Sequence, residues 1–279
     1  MEKIRNVGHI GTFAASPTGK PTYYRPGLPA IKKPRPEIIG NFTLTIRGIL
    51  FDKDGTLIDF QRTWMPAYRA GLETLCSIVG TDDATLADRC LEDTGFDLAR
   101  GVVKPDTALA SHANDDIAEQ WLSLAGLPGN PEARKNVVSV MEICAATKPV
   151  PLFDVAALFD QLAGLDLVLG VATMDGEWVA RSSLSALHAD HEVSFVAGWD
   201  SGHGKKPEPG MVLAFCEAVK IAPAEIMVIG DSLHDLHMGR NAGAGTIVGV
   251  RSGVGQDDEL SRDADHMLDD ATQIETLLG

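Results

Sequence analysis

The first residues able to do chemistry stand where an apolar run, Ile49-Leu50-Phe51, stops at Asp52 and is followed by Lys53-Asp54-Gly55-Thr56. Two carboxylates spaced i, i+2 repel each other unless a cation or a shared proton stabilises them. A glycine directly after them can adopt positive φ and turn backbone N–H groups toward an anion. The same residues also read as a solvated Asp-Gly turn after a strand, and this stretch alone does not separate the two. Three further stretches do. Val168-Leu169-Gly170-Val171-Ala172 ends in a hydroxyl at Thr173, and Gly204-Lys205-Lys206-Pro207 is a basic loop opening a helix. Ile226-Met227-Val228-Ile229-Gly230 ends in Asp231, with Asp235 four residues on.

Taken in order, this set resembles the haloacid-dehalogenase superfamily over roughly residues 47–279, and within it the phosphoglycolate phosphatase-like members that carry a helical cap. The resemblance implies roles residue by residue. Asp52 would be the nucleophile, forming an aspartyl-phosphate that splits one displacement into two. Asp54 would be the general acid and base. Family members that cleave carbon–halogen or carbon–phosphorus bonds lack an acid at that position, so Asp54 points to phosphate-ester hydrolysis or phosphomutation. Thr173 and Lys206, with the Gly55 turn, would hold phosphoryl oxygens. Lys206 is preferred to its neighbour Lys205 because it precedes Pro207, matching the family's Lys-Pro pair. Met174 stands where many relatives carry Asn, at a position where the family uses the backbone N–H. The implied cofactor is Mg2+, held by Asp52, the backbone carbonyl of Asp54, and Asp231, with Asp235 reaching the metal through water or pairing with the lysine.

These residues need a scaffold, and the hydropathy pattern supplies one. Strands are expected at 49–51, 167–172, 193–197, 226–230 and 245–250, alternating with helices near 154–163, 177–188, 209–220 and 233–242. Such alternation predicts a Rossmann-like α/β core with a parallel sheet, whose strand carboxyl ends bind ligands. Between the first two strands the period becomes helical. Tyr68, Leu72, Leu75 and Val79 share one face, with Pro66 near the helix start. Ile117, Trp121 and Leu124 share another, and Asn130-Pro131 caps a further helix whose face carries Ala133, Val137, Val140 and Cys144. Two parallel strands need one crossover helix, so the surplus predicts an inserted, all-helical cap domain. The expected organisation is a leader at 1–43, an α/β core at 44–61 and 149–279, and a cap at 62–148. Arg62, Arg69 and Lys104 are candidates for setting specificity from the cap.

Other residues weigh less. His234 and His237 are compatible with a transition-metal cluster but read better as surface or capping histidines. His203 faces substrate or solvent, and the four tryptophans read as packing residues. Gly253-Val254-Gly255 lacks a dinucleotide fingerprint. Cys76, Cys90, Cys144 and Cys216 form no CxxC pair and read as buried thiols in a reducing compartment.

The chain of 279 residues has a net charge of −15, which argues against nonspecific nucleic-acid binding. Residues 1–47 are the exception, with eight Lys/Arg against two Asp/Glu. The first forty residues hold six prolines and no sustained period, so they read as an extended or disordered leader. No stretch of about eighteen apolar residues or secretory core appears, so the expectation is a cytoplasmic protein, monomer or homodimer, acting on a small phosphorylated metabolite. The alternatives are a β-phosphoglucomutase-like phosphomutase and a noncatalytic binding protein docking through its basic leader. If the leader is disordered, deleting residues 1–40 leaves turnover and melting temperature nearly unchanged. A large drop in melting temperature would mean that it packs on the acidic body.

Overall fold

A computed structural model describes residues 46–278, apart from 82, 83 and 106. The expected leader lies outside the described residues. The central strand β1, Gly48–Phe51, is buried along its whole length. After the insertion the chain runs α6 (Val155–Gly164), β4 (Val168–Ala172), α7 (Glu177–Ala186), β5 (Val193–Ala197), α8 (Gly210–Val219), β6 (Ile226–Gly230), α9 (Leu233–Ala242), β7 (Thr246–Val250), α10 (Asp257–Asp263) and β8 (His266–Leu268), by which point the labels count the insertion's elements given below. Among the described residues one six-stranded sheet has the order β5-β4-β1-β6-β7-β8, and every pairing in it is parallel.

The period-2 alternation of the strands sorts side chains to two buried faces. Ile49 and Phe51 of β1, Leu169 and Val171 of β4, and Met227 and Ile229 of β6 join one apolar cluster with Val155, Leu158 and Phe159 of α6. Leu50, Ala172, Ile226 and Val228 point the other way, into a cluster with Met211, Val212 and Phe215 of α8 and Leu236 of α9. The chain leaves β1 toward β4 and β5, then returns to its other side for β6. β1 is therefore the topological switch point, and a crevice opens at its carboxyl end.

The insertion comprises α1 (Phe60–Val79), α2 (Ala84–Thr94), a ribbon of β2 (Phe96–Asp97) and β3 (Val102–Val103), α3 (Ala108–Ser111), α4 (Asn114–Leu124) and α5 (Pro131–Thr147). It is not wholly helical, because β2 and β3 pair as an antiparallel ribbon. α1 begins well before Pro66 and runs through it, because the Asp59 side chain caps it by accepting from the Arg62 N–H at 2.9 Å. Tyr68, Leu72 and Leu75 are buried as the period requires, while Val79 and Leu124 are exposed at helix ends. The two connecting strands run side by side: the Asp59 N–H donates to Val150 O at 2.8 Å and the Leu152 N–H to Leu57 O at 3.1 Å. The insertion has its own apolar cluster, into which Val179 of α7 also projects.

Trp121 centres that cluster. It is fully buried, its ring meets Tyr68 edge-on at 6.0 Å, and its N–H donates to Cys90 O and Thr94 Oγ1, both at 3.1 Å. Trp64 is buried likewise, but Trp178 is half exposed, so packing does not account for all four tryptophans. None of the four cysteines is in a disulfide, and only Cys90 and Cys216 are fully buried. No described helix is long and apolar enough to cross a membrane. Trp121→Ala should lower unfolding stability by about 3–5 kcal/mol through the cavity it leaves, measured by urea unfolding. A loss below ~1 kcal/mol would show that the insertion does not depend on this cluster.

Candidate active site

Strand register delivers the first three groups. Phe51 pairs with Val171 on one side and Ile229 on the other. Asp52 therefore emerges level with the ends of β4 and β6, with Thr173 and Asp231 one residue beyond those ends. The Asp52 N–H continues the ladder, donating to Ile229 O at 2.8 Å. Lys206 arrives from the loop between β5 and α8, and its Nζ lies 2.5 Å from both Asp52 Oδ1 and Asp235 Oδ1. Asp235 is oriented by the first turn of α9, where Ser232 N and Oγ donate to its Oδ2 at 3.1 and 2.6 Å, a reciprocal cap that leaves Oδ1 for the lysine. Lys205 is exposed and pairs instead with Asp116 at 3.4 Å, over the ring of Trp199.

Asp52, Asp231 and Asp235 each offer an oxygen within 4.8 Å of the others, and all three are buried. Burial pushes the Asp52 carboxyl from 3.8 up to about 7, against the pull of Lys206, with Asp235 and Asp54 adding repulsion. Burial and the neighbouring Asp52 and Asp235 charges drive Asp231 well above the usual range, only partly offset by the Val254 N–H and Lys206. Burial opposes the charge on Lys206, but Asp235 and Asp52 outweigh it and raise its pKa. Ionised together, three buried carboxylates around one lysine would leave surplus negative charge, and hard oxygen donors so spaced suit a divalent cation.

The rim depends on close backbone approach. Gly55 has φ +82°, and a Cβ there would lie 2.5 Å from Asp231 Oδ2. A Cβ on Gly253 would lie 1.9 Å from that same oxygen, which accepts from the Val254 N–H at 2.8 Å. The Gly253-Val254-Gly255 segment thus cradles Asp231, a use that its spacing did not announce.

Asp54 faces a different set of partners. Its Oδ1 accepts from Trp64 Nε1 at 2.7 Å, and its Oδ2 lies 2.7 Å from Lys53 Nζ. Lys53 also pairs with Asp175 at 2.6 Å. The Asp54 side chain is not among the three clustered carboxylates, and a metal would meet Asp54 through its main chain. Thr173 is buried, and its Oγ1 accepts from the Asp175 N–H at 3.1 Å.

These groups open into a cleft of about 590 Å³ including its mouth. Asp52, Asp54, Thr173, Met174, Lys206, Asp231 and Asp235 form its floor, with His234 beside them. Phe60, Trp64, Tyr68, Leu109, His112 and Asn114 of the insertion stand among its walls. Arg62, Arg69 and Lys104, the cap candidates for setting specificity, are exposed to solvent and none of them lines the cleft. His237 pairs with Asp263 at 3.3 Å, as a surface histidine does. His203 is exposed and lies beside Phe195.

Carboxylates, a hydroxyl and a lysine thus converge at the switch point of a parallel α/β sheet, and comparison supplies the family. The haloacid dehalogenase-like hydrolase family matches residues 46–243, and the chain belongs to it. A phosphoglycolate phosphatase of Xanthomonas campestris pv. campestris is 26% identical over 233 residues, 82% of this chain and 94% of that protein. An N-acetylmuramic acid 6-phosphate phosphatase of Pseudomonas putida is 24% identical over 203 residues, 73% of this chain and 82% of its own. A solved structure from Haemophilus somnus, described as a predicted phosphoglycolate phosphatase, superposes with a TM-score of 0.64 at 18% identity, covering 86% of this chain and 100% of that one. That likeness speaks to the fold.

Raised carboxyl pKa values give the metal-free protein a defined pH response. The folded state keeps protons on Asp52 and Asp231 that the unfolded state has released, so stability falls as pH rises above the ordinary 3.8, through about 7 for Asp52, with Asp231 adding in the same direction. Melting temperature without divalent cations should therefore drop between about pH 4 and 7, and a divalent cation should restore it at the upper end. A profile that does not fall, or that a cation leaves unmoved, would contradict this electrostatic account.

Proposed function

We propose that the chain is a magnesium-dependent phosphatase that hydrolyses a small phosphorylated metabolite through an aspartyl-phosphate on Asp52. The observation that carries this reading is the convergence of buried Asp52, Lys206 and the Asp231–Asp235 pair at the carboxyl end of the central strand. Family membership and the phosphatase names of both curated relatives support it. Asp52, Asp231 and Asp235, with the main-chain carbonyl of Asp54, would hold the cation. When bound, it would neutralise charge between the carboxylates and a phosphate dianion.

In the first half-reaction an Asp52 oxygen forms a bond to phosphorus while the bond to the ester oxygen breaks. Asp54, in the cleft floor, gives that leaving oxygen its proton. In the second, water attacks phosphorus, Asp54 takes the proton, and the bond to Asp52 breaks, releasing inorganic phosphate and the free carboxylate. Lys206, Thr173 and the backbone turn at Gly55 stabilise charge spread over the phosphoryl oxygens. The insertion, folded around its own apolar cluster and joined by paired connections at Asp59–Val150 and Leu57–Leu152, acts as a cap domain that limits water and substrate size. Phosphoglycolate is the first substrate to try, because a relative named for it spans most of the chain.

Asp52→Asn should keep the fold and lose turnover by several orders of magnitude; appreciable magnesium-dependent activity in that variant would sink the assignment. Wild-type protein given phosphoglycolate and, separately, glucose 1-phosphate should release inorganic phosphate without forming glucose 6-phosphate. Accumulation of glucose 6-phosphate with little free phosphate would establish the phosphomutase instead.

A further inference from the structure

Lys53 stands between the two carboxylates of the opening motif, where a solvated turn would point a lysine outward. Here its side chain is 1% exposed. Withdrawing an ammonium group from water is unfavourable unless other charges replace the lost hydration. The replacement is specific: Asp54 Oδ2 lies 2.7 Å away and Asp175 Oδ2 2.6 Å away, with the Trp64 ring centroid at 5.7 Å. Lys53 does not line the cleft, whereas Asp54 and Asp175 do. It therefore acts on its neighbours and not on substrate.

Asp175 is itself held by main-chain bonds on both sides. Its N–H donates to Thr173 Oγ1 at 3.1 Å, and its carbonyl accepts from the Trp199 N–H at 3.0 Å. The Lys53 ammonium is thus tied to the loop after β4, and through it one Asp54 oxygen is tied there too. The other Asp54 oxygen accepts from the indole N–H of Trp64 at 2.7 Å. A carboxylate held at one oxygen by a hydrogen bond from α1 and at the other by an ion pair with its buried chain neighbour has little freedom about its side-chain torsions.

We propose that Lys53, anchored by Asp175, is a positioning residue that with Trp64 fixes the Asp54 carboxylate in its orientation in the cleft. This role rests on the phosphatase reading, in which Asp54 protonates the leaving oxygen. General acid catalysis requires the acid within hydrogen-bond reach of the atom it serves, and small displacements of such a group are costly in rate. A clamp on Asp54 therefore matters most when the leaving oxygen needs a proton.

The test uses the full chain with magnesium and two esters: glycerol 2-phosphate, whose alkoxide leaves poorly, and p-nitrophenyl phosphate, whose phenolate needs no acid. Values of kcat/KM report events up to departure of the leaving group and so isolate the first half-reaction. Asp175→Asn, which releases Lys53, should lower kcat/KM about tenfold or more on glycerol 2-phosphate and less than about threefold on p-nitrophenyl phosphate. In an Asp54→Asn background the same substitution should add nothing, because its effect passes through Asp54. Lys53→Met is measured alongside and must show the same selectivity; a variant that fails to keep the wild-type circular dichroism and melting curve is replaced by the other. Equal losses on both esters, no loss on either, or a loss that multiplies with Asp54→Asn would overturn the positioning role. Wild-type protein that turns over neither ester would overturn the phosphatase reading and the role with it.

Discussion

The described structure is organised around a cluster of buried carboxyl groups that, once ionised, carry more negative charge than their one lysine balances. Asp52, Asp231 and Asp235 lie close together with their side chains withdrawn from water, and Lys206 bridges two of them. Buried ions are tolerated only where partners replace hydration, and removing one partner leaves a charge that is strongly destabilising. The capping pattern at Ser232, the cradle of Gly253 and Val254, and the pairing of Lys206 all answer that constraint. What remains after them is a site whose charge favours a cation and, through the cation and lysine, a phosphate group.

The sheet makes this convergence possible at little cost to the fold. A central parallel strand flanked by β4 and β6 in matching register brings three chain segments to one edge, while the apolar residues before each polar one bury the strand on both faces. The site and the core are consequences of the same alternation. The insertion adds a second core of its own, and Trp64 of its first helix reaches Asp54. The group read as general acid is thereby in contact with the element read as a cap.

Much of this was legible because chemistry and hydropathy change at the same residue. Asp52, Thr173 and Asp231 each follow an apolar run, so their shared edge could be read from strand order alone. Lys206 could be told from Lys205 only through its resemblance to a Lys-Pro pair; in the structure Lys206 is buried and Lys205 exposed. Lys53, Trp64 and Asp175 carried no such signal. A lysine beside a glycine turn looks like a surface residue, and a tryptophan at helical spacing looks like core. Their meeting depends on contacts between distant elements. The ribbon of β2 and β3 and the three-residue β8 were too short to set up a period. Arg62, Arg69 and Lys104 stand out by charge, but charge favours solvent, and the insertion lines the cleft with Trp64, Tyr68, Leu109, His112 and Asn114 instead.

The central claim is that phosphate passes through a covalent bond to Asp52. The most direct measurement is to quench the protein with acid during steady turnover of a phosphate ester, reduce it with borohydride, and map the peptide containing residue 52 by mass spectrometry. Reduction converts an aspartyl-phosphate to homoserine and leaves an ordinary aspartate untouched. The account predicts homoserine at position 52, only when substrate and magnesium are both present. Steady release of phosphate with unmodified Asp52, or homoserine at another carboxylate, would contradict it.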